Sequence, residues 1–449
     1  MTEPTLYPFQ VAGRDFLAVR EGALLGDDPG LGKTIQSLCA VKQLPLAGPV
    51  LVISRPINKL YWRKMIEVWH PEAAETTYIA ERAGRHDTSK IAKLFKKGRP
   101  GYLITHHEAL RHSIATLQDY GMWTAVIADE AHRFNNRKAQ MTACLWDIPS
   151  AFKWSLSGTP IDKNPADWWA LLHWLEPEQF TSYWRFFDRW VDCRTLPFGG
   201  REILGTTDPE GFAAMLRPYV LKRAKVDVAP QLPPLTEEVI WVEMLPAQAT
   251  LYRKLKKALF VELDGDANNA LFIQNALQRF SLLQQAVLWP TLLGSDAESG
   301  KLQYVLETLR DTAEQVVVFT RWRNFALSLP NLVEGGASIV GGQNMQEREA
   351  ILERFSRGDI RWLVGTIQAM SESVNLDAAS HAIFVDLHPS TIKMTQAKQR
   401  IHRLTSTKPV LITYLQSPGT IDEHVWDALT HAYTSKDLVE GLLKHIKPR

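Results

Sequence analysis

Cysteine is nearly absent from this 449-residue chain, which holds only Cys39, Cys144 and Cys193. The three stand far apart, without the paired spacing that a zinc site or a disulfide framework needs, so they are expected to be reduced, buried and inert. Charge of one sign is not in excess either: 51 Lys and Arg face 49 Asp and Glu, for a formal net charge of +2. Any surface for a polyanion must therefore be local. Apolar runs such as Val316 to Phe319 fall far short of a membrane span, and Met1 to Leu6 lacks a charged-then-apolar leader, so no membrane partner is expected. The chain has no short-period repeat, no low-complexity tract and no zinc-finger or homeodomain pattern, which excludes solenoids and sequence-specific base reading of those kinds.

What is present is an ordinary globular composition, 45% apolar and 22% charged, in a chain long enough for two or three packing units. Short β-branched, apolar runs recur between helical stretches, the pattern of parallel sheets covered by helices. They are Ala23 to Leu25, Val50 to Ser54, Tyr102 to Thr105, Ala125 to Ala128 and Trp154 to Leu156. A second series lies at Val316 to Phe319, Ser338 to Val340, Trp362 to Val364, Ala382 to Val385 and Val410 to Tyr414. The fold class is therefore α/β, two lobes with helical insertions between the lobe cores. Residues 162 to about 300 break the alternation and read as helical or irregular, without sheet strands of their own. Aromatics crowd the first part of that stretch (Trp168, Trp169, Trp174, Tyr183, Trp184, Phe186, Phe187, Trp190), where core packing is favoured over base stacking. Pro230, Pro233 and Pro234 mark a stiff crossing. The expected lobes are 1–230, with a helical insertion at about 162–222, and 231–449, with one at about 246–300 and a C-terminal helical tail.

Gly30, Leu31, Gly32, Lys33 and Thr34 come after a strand and precede an apolar helix, as a phosphate loop must. Glycines let backbone N–H groups close on phosphate oxygens at a helix N-terminus, Lys33 can reach the β and γ phosphates, and the Thr34 hydroxyl can ligate Mg²⁺. Asp27 stands where the strict pattern wants glycine, so a second element is required. Asp129, Glu130, Ala131 and His132 supply it, at the carboxyl end of the run Ala125 to Ala128, where nucleotide crevices form. Asp129 would hold Mg²⁺ and Glu130 would orient and deprotonate a water. Ser157 to Pro160 come after the next strand, either as a hydroxyl relay to the acidic pair or as a plain turn. In Gln396 to Arg403, Arg400 and Arg403 share one helical face and could reach a single γ-phosphate together, a contribution of roughly a thousandfold or more in related chemistry.

With these pieces in order the chain resembles the Swi/Snf family of superfamily 2 helicase-like ATPases over nearly its full length. Leu6 to Gln10 is similar to the family's opening motif, which implies that Gln10 reads adenine. Gly26 to Thr34 is similar to "D-E-M-G-L-G-K-T", in which Asp27 is normal. Thr159 and Pro160 resemble the third motif, and Trp168, Leu172 and Pro177 resemble the family's segment just after it. Leu221 to Val228, then Leu232 to Pro234, resemble the basic crossing segment that ends in "L-P-P". Phe355 to Gly358, Asn375 to Ala379 and Gln396 to Arg403 complete the set, and Phe187 to Gly200 looks most like the annealing-helicase subfamily. The resemblance implies two RecA-like lobes, ATP and Mg²⁺ as cofactors, and translocation on double-stranded DNA.

Departures are specific. The glycine-rich fifth motif reads Ala369 to Leu376 with its glycines replaced, so coupling between ATP and DNA is expected to be altered. "R-I-G-Q" continues as Arg403 to Ser406, and His388 replaces the usual tryptophan. Phosphate contacts to the track are expected from Arg55, Lys59, Thr105, His106, Arg321, Arg323, Thr366 and Gln368. Two competing functions stay open: a strand-separating helicase, with a wedge near Phe198, and a nucleotide-switched regulator of a partner such as RNA polymerase. The absence of nuclease and chromatin-reading motifs suggests a bare motor, bacterial or viral and so cytoplasmic, nuclear if eukaryotic. A monomer is expected, with a possible protein partner in replication, repair or transcription.

Overall fold

The computed structural model describes residues 5–45, 48–80, 100–119, 121–158, 164–195, 201–229, 232–262, 270–371 and 374–431. The chain divides into two compact units, Met1–Pro230 and Gln231–Arg449.

The first unit is built on a seven-stranded parallel sheet. Numbered along the chain, its strands are β1 (Gly22–Leu25), β2 (Pro49–Ser54), β3 (Thr77–Ile79), β4 (Gly101–His106), β5 (Trp123–Asp129), β6 (Ser150–Leu156) and β9 (Val220–Leu221). Their spatial order is β3-β4-β2-β5-β6-β1-β9. Successive residues alternate between two cores. Leu24, Leu51, Ile53, Val126 and Ala128 face one, packed with Trp168, Leu172 and Trp174. Ala23, Leu25, Val50, Val52, Ala125 and Ile127 face the other, packed with Leu38, Trp62 and Ile66. Burial on both faces is what makes these strands read as continuous apolar runs rather than alternating ones.

The second unit repeats the plan with six parallel strands: β10 (Leu235–Trp241), β11 (Val316–Thr320), β12 (Gly336–Ile339), β13 (Trp362–Thr366), β14 (His381–Phe384) and β15 (Val410–Gln416), in the order β10-β15-β14-β11-β13-β12. Lys301, 1% exposed, makes a 2.6 Å ion pair with Asp422 and donates to the Val385 carbonyl. A buried lysine charge thus has both a counter-ion and an acceptor, the condition for keeping it inside.

The middle of the chain corrects the sequence reading, because it carries strands. β7 (Val191–Thr195) and β8 (Arg201–Thr206) form an antiparallel pair, β9 adds to the first sheet beside β1, and β10 lies beside β15. The strand β10 also begins directly after Pro234, where the prolines suggested only a crossing. Of the cysteines only Cys144 is buried; Cys39 and Cys193 are partly exposed, and all three are free thiols. Thr159, Pro160, Phe198, Glu372, Ser373 and the C-terminal tail lie outside the described residues. Among the described residues no helix is long and apolar enough to cross a membrane.

Candidate active site

Sheet order gathers the chemistry of the first unit. Although β5 and β6 are remote from β1 in sequence, Leu156 of β6 pairs with both Leu25 of β1 and Asp129 of β5. The carboxyl ends of the three strands are therefore level, and the phosphate loop, the acidic pair and Ser157 emerge along one edge. This is where parallel α/β sheets bind ligands.

In the loop, Gly30 and Gly32 have φ of 91° and 78°, left-handed values that suit glycine. A Cβ at Gly32 would lie 2.6 Å from Gln10 Nε2, so the second glycine is fixed by space as well as by conformation. Gln10 is buried: its Nε2 donates to the Leu31 carbonyl and its Oε1 accepts from Tyr7 N–H. The helix Lys33–Val41 starts directly at Lys33, with no side-chain cap, so its first N–H groups face the loop as a ready anion cradle. Lys33 Nζ donates to the carbonyls of Asp27 (2.6 Å) and Asp28 (3.3 Å). Burial lowers its pKa, opposed by the charges of Asp27, Glu130, Asp129 and Asp28.

Asp27 is wholly buried, and Arg223 grips it with a two-pronged contact, Nε to Oδ1 at 2.9 Å and Nη2 to Oδ2 at 2.5 Å. Arg223 also donates to Gln36 Oε1 and to the Phe9 carbonyl, while Lys225 N–H donates to Asp28 Oδ2 at 2.9 Å. Residues 221–225 thus brace the loop's entry, its helix and the segment carrying Gln10.

Asp129 ends β5. Its Oδ2 accepts from Trp62 Nε1 at 3.1 Å, and its carbonyl accepts from His107 Nε2 at 2.9 Å. Burial first, and the neighbouring Glu130 charge second, push its carboxyl up to about 6. His107 is driven down to about 4, chiefly by burial and then by Arg133, so it is a neutral donor at working pH. Arg133 in turn pairs with Glu108 at 2.7 Å. Glu130 has φ 52° and ψ 47°, and among the described residues it alone of the non-glycines has positive φ. That conformation costs about 1–2 kcal/mol, a strain of the kind found at functional sites.

Ser157 is the link the sequence left undecided. Its Oγ lies 3.3 Å from His132 Nδ1, which is 3.4 Å from Glu130 Oε2. The hydroxyl therefore does touch the acidic site, through the imidazole. Gly158 packs so closely that a Cβ would overlap Pro29 Cγ and lie 3.2 Å from Lys33 Nζ. No group of three or more His, Cys, Asp and Glu side chains among the described residues could cage a metal. Thr34 and Asp129 are the residues that could hold Mg²⁺, an ion that uses few protein ligands and would take others from substrate phosphates.

In the second unit, Arg400 Nε donates to the Ser371 carbonyl at 2.8 Å and Arg403 Nη2 to the Val374 carbonyl at 2.7 Å. The helix ends at Ile401 and His402 is extended, so the two do not share one helical face as expected; both nonetheless bond the segment with the replaced glycines. Met370 there is wholly buried, and its Sδ occupies the space a Cβ on Gly365 would need.

The eight expected DNA contacts separate into groups. Ser54 and His106 pair in register, which brings Arg55 and the end of β4 to one edge. Thr105, however, is 0% and His106 8% exposed; both lie within an interior strand, so their side chains are corrected from surface contacts to core. Lys59 Nζ donates to the Ala80 carbonyl. In the second unit Thr320 pairs with Thr366, bringing the chain after β11 and after β13 together. Arg323 and Gln368 are exposed there, Thr366 caps a short helix, and Arg321 is drawn inward to Gln284, with its N–H on Asp386.

Sequence reasoning missed Trp62, His107, Arg223 and Gln36. Only Arg223 carried a signal, its place in the basic segment 221–228.

Two family models match the chain, and they meet beyond the boundary between the compact units. Residues 16–292 match the SNF2-related domain and 300–405 the helicase conserved C-terminal domain. The chain is 26% identical over 450 residues to chromodomain-helicase-DNA-binding protein 1-like of Danio rerio, covering 94% of this chain and 42% of that protein. It is 26% identical over 490 residues to protein CHROMATIN REMODELING 5 of Arabidopsis thaliana, covering 98% of this chain and 28% of that protein. It thus spans less than half the length of these relatives. Among solved structures, the Pyrococcus furiosus Hef helicase domain aligns with a TM-score of 0.57 at 16% identity, over 94% of this chain and 97% of that one. The Sulfolobus solfataricus SWI2/SNF2 ATPase core in complex with dsDNA aligns at 23% identity with a TM-score of 0.46, over 98% and 94%.

Proposed function

Because the chain belongs to the SNF2-related family of helicase-like ATPases, we propose that it hydrolyses ATP with Mg²⁺ to translocate on double-stranded DNA, remodelling protein–DNA complexes or reannealing and branch-migrating strands. The observation that carries this reading is the level edge of β1, β6 and β5, which sets Lys33 beside Asp129 and Glu130. In it, Gln10 reads adenine, Gly30, Gly32 and Lys33 take the phosphates, and Thr34 with Asp129 hold the metal, which would neutralise charge building on the β and γ oxygens. Glu130 accepts the proton as water oxygen bonds to the γ-phosphorus and the bond to the β-γ bridging oxygen breaks, leaving ADP and phosphate. In the second unit, Arg400 and Arg403 are the candidate catalytic cations, each held by a backbone carbonyl of its own unit. Lys33 releases the Asp27 and Asp28 carbonyls when a phosphate takes its ammonium.

For the track, this reading uses the exposed Arg323 and Gln368 and the strand-end Arg55 as phosphate contacts. The names of the relatives point to chromatin as their substrate; for this chain the reading is the coarser one of a protein–DNA complex. The test is the ATPase rate with duplex, single-stranded and forked DNA and with RNA, together with displacement of a triplex strand. Strong stimulation by duplex, triplex displacement and loss of both in Glu130→Gln are expected. An intact triplex at full ATPase rate refutes translocation, and stimulation by single strands above duplex favours a strand-separating helicase.

A further inference from the structure

The aromatics of residues 168–190 fall into two sets. Trp168, Trp169, Trp174, Phe186 and Phe187 are buried, as core packing requires, but Trp184 is 56% exposed. It sits on the helix Tyr183–Trp190, and two arginines from other parts of the chain converge on it. The Arg137 guanidinium lies 3.8 Å from the Tyr183 ring centroid and 5.8 Å from that of Trp184. Arg201, which opens β8, lies 5.6 Å from Trp184 and 5.2 Å from Phe187. Arg185 and Lys138 are exposed on the same helix and beside Arg137 in sequence.

The neighbouring arginines show what ordinary surface charges do here. Arg194 pairs with Glu202 at 2.5 Å and Arg189 approaches Asp208 at 3.9 Å. Arg137, Arg185 and Arg201 have no such carboxylate among the described residues. A guanidinium held over a ring keeps its N–H edge for another acceptor. The patch therefore presents a flat apolar ring and oriented cations that no carboxylate pairs among the described residues, with Glu202 beside it committed to Arg194.

We propose that Trp184, Arg137 and Arg201 form a contact site for unpaired nucleotides, with a base stacked on the indole and its flanking phosphates on the guanidiniums. Stacking on an aromatic needs a base with an open π-face, which a duplex does not offer because its bases are already stacked on one another. An acidic peptide would satisfy the arginines but leave the ring without a planar partner. Arg137 lies only a few residues beyond the acidic pair, just past the short helix Ala131–Phe134. The site therefore opens onto the segment that leaves the hydrolytic residues. This inference rests on nucleic acid being the chain's track and adds a second, strand-selective contact to it.

The experiment is the anisotropy of a labelled oligothymidylate, and separately of a labelled blunt duplex, titrated with the full chain and with Trp184→Ala, Trp184→Phe, Arg137→Gln and Arg201→Gln. Trp184→Ala is expected to weaken oligothymidylate binding roughly five- to more than a hundred-fold, with Trp184→Phe recovering most of it. Each arginine variant should lower the dependence on log salt by about 0.7. Duplex binding and duplex-stimulated ATPase should stay within about twofold in all four, which also shows that they fold. Unchanged oligothymidylate binding in Trp184→Ala overturns the proposal, as does a parent that binds no oligothymidylate. Equal competition by polyglutamate, insensitive to Trp184, overturns it in favour of an acidic protein partner. Loss of oligothymidylate binding in Trp184→Ala, with no duplex stimulation even in the parent, supports this site while refuting the duplex-translocase reading.

Discussion

Replacing Asp129 by asparagine should stabilise the first unit while abolishing hydrolysis, and its pH dependence can be worked from the site. The Asp129 carboxyl is largely desolvated, next to Glu130, and is pushed up to about 6 from its ordinary 3.8. Between about pH 4 and 6 the folded state then binds more protons than the unfolded chain, so stability falls as pH rises through that window and stays low above it. The displacement from 3.8 to about 6 corresponds to about 3 kcal/mol at neutral pH. Asparagine carries no charge but keeps an oxygen for the Trp62 indole N–H, so most of that cost should vanish. For a unit of this size the midpoint of thermal unfolding should rise roughly 4–10 °C at neutral pH. The gain should shrink towards zero below about pH 4, where the aspartate is neutral as well. Differential scanning fluorimetry without nucleotide, run from acid to neutral pH, measures it. An asparagine variant that melts at or below the parent at neutral pH, or a gap that ignores pH, refutes the account of Asp129 as a carboxylate held at a cost for its chemistry.

Three other outcomes are expected. Arg223→Met leaves the Asp27 carboxylate buried without its cation, and should cost about 3–5 kcal/mol in urea unfolding; Arg223→Lys should restore only part, since lysine lacks the planar fork. Gly158→Ala sets a Cβ into Pro29 Cγ, an overpacking of about 1–3 kcal/mol that should displace the phosphate loop and weaken binding of a fluorescent ATP analogue roughly tenfold. Met370→Gly brings the chain nearer to its family's fifth motif, yet it empties a buried position and should destabilise the second unit by about 3–5 kcal/mol, read as a lower unfolding midpoint without a gain in DNA-stimulated ATPase.

Sequence patterning located the interior strands because both faces of each are buried, leaving uninterrupted apolar runs at β2, β5 and β11. It failed where that condition fails. β10 lies at a sheet edge and carries Glu237 and Glu238, which serve Tyr414, Lys398 and Thr413 on neighbouring elements, so its sequence reads as polar. β7 and β8 form a two-stranded ribbon with little of its own core, and β9 is two residues long and exists by pairing with β1. The phosphate loop and acidic pair were legible because local backbone chemistry dictates their residues. Sheet order was not legible: nothing local says that β6 falls between β1 and β5, and so nothing local decides whether Ser157 is a relay or a turn. Arg223 bonds Asp27 across 196 positions, a contact that leaves no periodic trace. Thr105 was misjudged because its strand runs one residue further than the apolar run suggests, to His106.

The replaced glycines of the fifth motif acquire a different meaning from the one the sequence suggested. Glycine is demanded where φ is positive, and among the described residues of 369–376 none has positive φ. Residues 367–370 are instead a short helix whose N-terminus is capped by Thr366 Oγ1, with Met370 filling the space above Gly365. Non-glycine side chains therefore cost no backbone strain there and add packing. What the segment offers in return is its carbonyls: Ala369 accepts from Arg348, Ser371 from Arg400 and Val374 from Arg403. A guanidinium has five N–H donors, and a carbonyl fixed to one of them sets the direction of the others. The described residues on either side of 372–373 therefore hold both arginines through backbone carbonyls, and each bond fixes the direction of one guanidinium.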